Sequence, residues 1–179
     1  MTQHEYIFVS VSIIIGLAIT RILHVVGDLI RYHKQTHFHW STAIWGLSVM
    51  TFTLQLWWIG WGLHDYTDWN FSHFAVLIFA SISIYGAAEM ALPDPRDGHF
   101  DMLAHSQSLG RVSATSMLAY FLVGPYANVT MFKNPLDLSL AIPLVGVMLM
   151  ILVIFIPRGF KLWSVLFAAY SIAILYITV

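Results

Sequence analysis

Residues 6–30 read YIFVSVSIIIGLAITRILHVVGDLI, and this stretch decides the fold. A helix needs about 20 apolar residues to cross a bilayer, and this run has the length. Its second half nevertheless carries Arg21, His24 and Asp28. Ionisable groups at membrane depth are expensive and turn toward other protein or a wet cavity. Apolar length therefore predicts where the chain resides, and the charges point to its polar interior.

Five more apolar runs follow, at 40–63, 74–92, 112–132, 136–156 and 162–179. Together they predict a single integral membrane domain over 1–179, an all-α bundle of about six transmembrane helices. The fourth run is diluted by Ser113, Thr115, Ser116 and the pair Gly124-Pro125. Proline there is expected to kink or end the helix. The fifth and sixth runs are the most uniformly apolar. Five residues, Pro157 to Lys161, join them, which forces an antiparallel hairpin.

Composition agrees. Hydrophobic residues make up 59% of the 179 and charged residues 9%, against roughly a quarter charged in soluble domains. The net charge of −1 gives no basic face for nucleic acid. The absence of cysteine excludes disulfides, thiolate metal sites and cysteine nucleophiles. No nucleophile elbow, serine–lysine pair or glycine-rich phosphate loop occurs, so nothing indicates an enzyme. The opening residues MTQHEYIFV lack the features of a signal peptide, and the first run is read as a retained span.

If six helices alternate, Arg31, Lys34, Arg96, Arg111, Arg158 and Lys161 fall on one side and Lys133 on the other. Lysine and arginine favour the cytoplasmic side. The expected topology places both termini outside the cytoplasm, with the first, third and fifth loops inside. Trp40, Trp45, Trp57, Trp58, Trp61 and Trp163 lie near run ends, where indole rings anchor helices at the interface.

The first run has a polar stripe. Gly16, Thr20, His24 and Asp28 follow at intervals of four, with Arg21 beside them. Residues three and four apart share a helix face, so one polar face is expected. Glu89, in YGAAEMALP, is the expected partner of Arg21 in the same half of the membrane. Gln55 is the other polar group within reach, though nearer the outer side. Gly16 and Gly86 are expected to let helix backbones approach closely. The buried polar site read from the sequence is therefore Arg21, His24, Asp28, Gln55 and Glu89. It serves either to fix helix packing or to handle a proton, ion or ligand.

Two loops on the same side carry His33, His37 and His39, and Asp94, Asp97, His99, Asp101 and His105. Such side chains are candidate zinc or iron ligands, and no HExxH pair accompanies them. A bis-histidine haem would need His24 and His105 to face each other. The sequence requires no cofactor.

The segments EYIFVSVSIIIGLAITRIL, LQLWWIGWGL and ALPDPRDGHFDMLAH resemble a group of small bacterial multi-pass membrane proteins. Its members share a GLAxT-type first helix, a Q-x-W-W in the second and a PDP-type acidic loop. The resemblance covers roughly the first hundred residues. It implies a bacterial inner-membrane protein of shared fold and supplies no mechanism. The matching residues are Gly16, Thr20, Gln55, Trp57, Trp58, Asp94 and His105. The acidic loop departs from the group where it ends in AHSQSLGR.

The expected function is a small channel or transporter for protons, ions or a small solute. The alternative is a non-catalytic accessory or sensory module of a larger complex. A haem, quinone or metal redox protein ranks last. Beyond the lipid bilayer, a second copy of the chain or a partner membrane protein is the expected company.

Overall fold

Three capped helices open the computed structural model, which describes residues 2–94 and 100–178. Helix α1 (Gln3–Arg31) starts on a capping box. The Thr2 hydroxyl accepts from the Glu5 amide at 3.1 Å, and the Glu5 carboxylate accepts from the Thr2 amide at 2.8 Å. Two otherwise orphaned donors are thereby satisfied. Helix α2 (Trp40–Trp61) is capped by the His39 ring, and α3 (Phe71–Glu89) by the Asn70 side chain. Four helices follow: α4 (Met102–Ser108), α5 (Gly110–Thr130), α6 (Leu136–Phe155) and α7 (Phe160–Thr178). A 3-10 turn, Pro157–Gly159, links the last two.

Of these seven helices, six have nineteen residues or more. Four segments are both long and apolar enough to cross a membrane: α1, α2, α3 and Pro157–Thr178, which includes α7. Helix α6 contributes the shorter apolar stretch Ser139–Phe155. In α5 the small and hydroxyl-bearing residues of GRVSATS lower the apolar content. The six expected spans thus match six long helices, of which four are marked by length and composition.

Pro125 does not end its helix. Helix α5 runs on to Thr130, and α6 likewise contains Pro143. Gly124, next to Pro125, faces Pro143 across the α5–α6 contact. A Cβ placed on Gly124 would lie 3.2 Å from Pro143.

The long helices pack in a circuit. Helix α1 touches α2 and α3, α3 touches α5, α5 touches α6, α6 touches α7, and α7 returns to α2. Aromatic rings fill the middle. Phe52 stacks on Phe167 at 5.4 Å and meets Phe121 edge-on at 5.1 Å. Trp45, expected at an interface, is fully buried between Phe160 and Phe167. It shares its helix face with Ser41, Thr42 and Val49, which are also buried, so it points inward rather than at headgroups. Trp40, Trp57, Trp58 and Trp61 do remain exposed.

Large apolar side chains cover the outward faces, among them Ile13, Leu47, Leu144 and Ile172, each more than half exposed. Soluble monomers rarely present contiguous apolar surface of this kind. Lipid is the solvent that suits it.

Of the two glycines expected to allow close helix approach, Gly86 does so and Gly16 does not. A Cβ on Gly16 would meet nothing within 4 Å, whereas one on Gly60 would collide with the Phe8 ring of α1. Gly86 approaches Ser116 of α5.

Two short strands define one end of the bundle. Strands β1 (Thr36–His37) and β2 (Phe100–Asp101) pair in parallel, with Thr36 opposite Phe100. Helix α4 packs on the Pro157–Gly159 turn. The connections after α1, α3 and α6 therefore gather together, bringing Arg31, Lys34, Arg111, Arg158 and Lys161 to this basic end. Lys133 belongs to the far end. Arg96, Asp97 and His99 lie outside the described residues.

Candidate functional site

Helices α1 and α3 run in the same direction. Their starts adjoin, since Thr2, Ile7, Asn70 and Phe74 border one surface hollow. Two parallel helices in register bring Arg21 of α1 to the last residue of α3. Arg21 Nε lies 3.1 Å from Glu89 Oε1, and Nη1 lies 3.8 Å from Asp94 Oδ2. The Nε–H is not aligned on an acceptor, so this is a charge contact rather than a directed hydrogen bond. The side chains are 23% and 33% exposed, so their attraction is partly screened. Asp94, read in the sequence as a loop carboxylate, is the second anion of this group.

Asp28 forms a different group. It is 5% exposed. His24 Nε2 lies 3.4 Å from its Oδ2, and Arg31 Nη1 lies 3.7 Å from its Oδ1. The expected single polar face is not observed, because Thr20 and His24 are exposed and only Asp28 of the stripe is buried. The reason is geometric. Four residues advance a helix by more than one turn of 3.6, so a stripe of period four winds around the helix. Two such steps carry it from the outer face at Thr20 toward the core at Asp28. Arg21 and Asp28 share a face but stand about 10 Å apart along the axis. Two ion groups result where one was expected.

Gln55 joins neither. It is buried, and its Nε2 donates to Thr178 Oγ1 at 3.2 Å. Its Oε1 has no hydrogen-bond partner among the described residues; an orphaned buried acceptor costs about 1–3 kcal/mol. Helix α2 runs opposite to α1, which sets Gln55 at the depth of Phe8 and Val11 rather than Arg21. All three line a partly open cavity of about 180 Å³. Every long helix contributes to its wall: Val11, Phe52, Ala80, Phe121, Pro143 and Ile174 are one residue from each. A second, apolar hollow of about 710 Å³ lies between the basic-end halves of α1 and α2, bordered by Ile22, Val26, Gly46 and Leu47. Neither space is lined by Arg21, Asp28 or Glu89.

A hydrogen-bonded seam closes the bundle near its basic end. The Thr42 hydroxyl donates to the Met102 carbonyl at 2.9 Å and lies 2.7 Å from Ser106 Oγ. Trp45 Nε1 donates to Ser113 Oγ at 3.0 Å, and Ser113 donates to the Ala87 carbonyl at 2.9 Å. Helices α2, α5 and α3 are thereby tied in series. The sequence reading missed this seam. Its signal was present as small hydroxyl residues at inward positions of apolar helices, where they bond across contacts. Ser81 and Ser83 only bond back to their own helix, at Leu77 and Phe79.

The loop histidines are spread out. His33 bonds the Ile30 carbonyl, His39 caps α2 through Ser41, and His37 lies in β1. His105 is partly buried in α4. Burial holds its pKa below the ordinary 6.5, and the Met90 backbone opposes that shift. The exposed Asp101 carboxylate caps α4. The amides of Ala104 and Leu103 lower its pKa. Among the described residues no three histidine or carboxylate side chains converge as a metal-ligand set. His24 lies against Asp28, and His105 against the Met90 backbone.

Comparison with known proteins finds no matching family, no similar curated protein and no similar solved structure.

Proposed function

We propose that the chain is a small channel or transporter of the bacterial inner membrane, handling a small solute within its helix circuit. The observation that carries this reading is the 180 Å³ cavity walled by all six long helices. A cavity at the meeting point of a helix bundle is the usual place for a ligand. Its position in the far half, with the basic-end seam closing the other half, suits access from one side. The Arg21–Glu89–Asp94 group would then hold α1 to α3 at the closed end. All six long helices would span, with the basic end in the cytoplasm.

Purified protein in liposomes tests this. Swelling in small neutral solutes, and ion flux beside it, should exceed that of empty vesicles. Ala127→Leu and Ala80→Val, which fill the cavity, should lower flux by more than they lower the folded fraction. Silent vesicles, or variants that only fail to fold, sink the transport reading.

The second reading is an accessory or sensory module. The exposed aromatic end of α2, with Trp57, Trp58 and Trp61, favours it as a surface for a partner membrane protein or a second copy. Stoichiometric recovery of one partner at native expression would support that reading over transport.

A further inference from the structure

We infer that the partly open cavity shared by the six long helices binds a neutral molecule of about one aromatic ring bearing a single hydrogen-bond donor, the class of phenol and indole. The inference deepens the solute-handling reading and rests on it. Charge decides the first part. None of the residues lining the cavity is Asp, Glu, Lys, Arg or His. An ion entering it would lose its hydration with no countercharge in return. The sequence left protons, ions and small solutes equally open, and this lining selects a neutral solute.

Size and shape decide the second part. An apolar cavity of about 150 Å³ accepts benzene, and this one measures about 180 Å³. Phe52, Tyr120, Phe121 and Tyr170 line it as a cluster of rings 5.1–6.1 Å apart. Such a wall offers ring edges and faces to a further ring.

Polarity decides the third. Gln55 borders the cavity with its carbonyl unpaired. The Tyr170 hydroxyl already donates to the Ile142 carbonyl at 2.9 Å, and Thr178 already accepts from Gln55. The Tyr120 hydroxyl and the Asn128 amide also lie on this wall, but Gln55 Oε1 is its one fully buried acceptor left orphaned among the described residues. A ring with one donor satisfies that acceptor.

Thermal unfolding of the full chain in nanodiscs, with phenol, indole, toluene and benzoate as probes, tests the inference. Phenol and indole should raise Tm saturably, toluene less, and benzoate at pH 7 not at all. Ala127→Leu, which fills the cavity from α5, should abolish the shifts. Should that variant not fold, Ala80→Val tests the same volume from α3. Gln55→Leu should keep the toluene shift and weaken phenol by roughly fivefold, the worth of one hydrogen bond. The inference falls if the wild-type chain shows no saturable shift, if benzoate matches phenol, or if the filled cavity responds equally. It also falls if Gln55→Leu leaves the preference for phenol unchanged. Binding without liposome flux would remove the transport reading and leave the site. Flux without binding would remove the site and leave transport.

Discussion

At the basic end, Thr42, Trp45 and Ser113 each bond to a neighbouring element, and Arg21 meets two carboxylates. At the far end, side-chain contacts also tie helices together: His4 to the Gly60 carbonyl at 3.0 Å, Gln55 to Thr178, and Tyr170 to the Ile142 carbonyl. The first end is packed around the fully buried Trp45. The second encloses open volume and leaves an amide oxygen unpaired. Charge contacts and hydrogen bonds fix the basic end, whose larger hollow lies between α1 and α2, whereas the far end holds the space that all six long helices share. The proposed solute site and the basic-end seam thus lie in different halves of the same helices.

Substitutions should separate the halves. The largest effect belongs to Trp45→Ala, which removes a buried ring and the bond to Ser113. It should cost about 3–5 kcal/mol, read by reversible unfolding in mixed micelles; a loss under about 1 kcal/mol would mean the basic end is not the rigid one. Next comes the ion group. Arg21→Ala alone should cost about 1–3 kcal/mol, because it strands the Glu89 carboxylate, and Glu89→Leu should cost less, because Asp94 remains beside Arg21. Arg21→Met with Glu89→Leu together should cost less than Arg21→Ala alone. Strict additivity in that double-mutant cycle would show that the two side chains do not act as a pair.

A smaller effect comes from His105, outside the spanning helices. Its folded pKa lies below the ordinary 6.5, so the unfolded chain takes up the proton first as pH falls. The stability it supplies is complete above pH 6.5 and is lost as pH falls below that value. Tm measured from pH 7.5 to 5 should drop less steeply in His105→Gln than in the parent chain. The smallest effect is expected at the far end. Gln55→Leu should change stability by no more than about 1 kcal/mol, with the sign toward stabilisation, since it removes an orphaned acceptor. A large loss there would place a structural bond where the cavity is drawn.

The long helices were legible because apolar length is written directly into the sequence, and the chain-wide scarcity of charge left few alternatives. The proximity of Arg21 and Glu89 was legible for a similar reason. Two charges in one half of parallel helices have few other places to turn. The rest failed for identifiable causes. The period-four stripe from Gly16 to Asp28 looked like one face until the 3.6-residue turn wound it around α1. Gln55 was assigned to the wrong group because one polar residue on an antiparallel helix gives no sharp depth. Trp45 read as an anchor because a tryptophan near a run end looks the same whether it turns out or in. Strands β1 and β2 were invisible, since two residues carry no periodicity. Helix α4 had only Asp101 as a starting signal.

The joining of the first and third connections has a consequence for biosynthesis. Thr42 and Ser106 stand 64 positions apart, so their bond must wait until α1, α2 and α3 have all left the ribosome. At roughly 5–20 residues per second of synthesis, that delay is several seconds. Through it, contacts such as His4 to the Gly60 carbonyl and Arg21 to Glu89 can already join α1 to α2 and α3, and the Thr42–Ser106 bond closes after them.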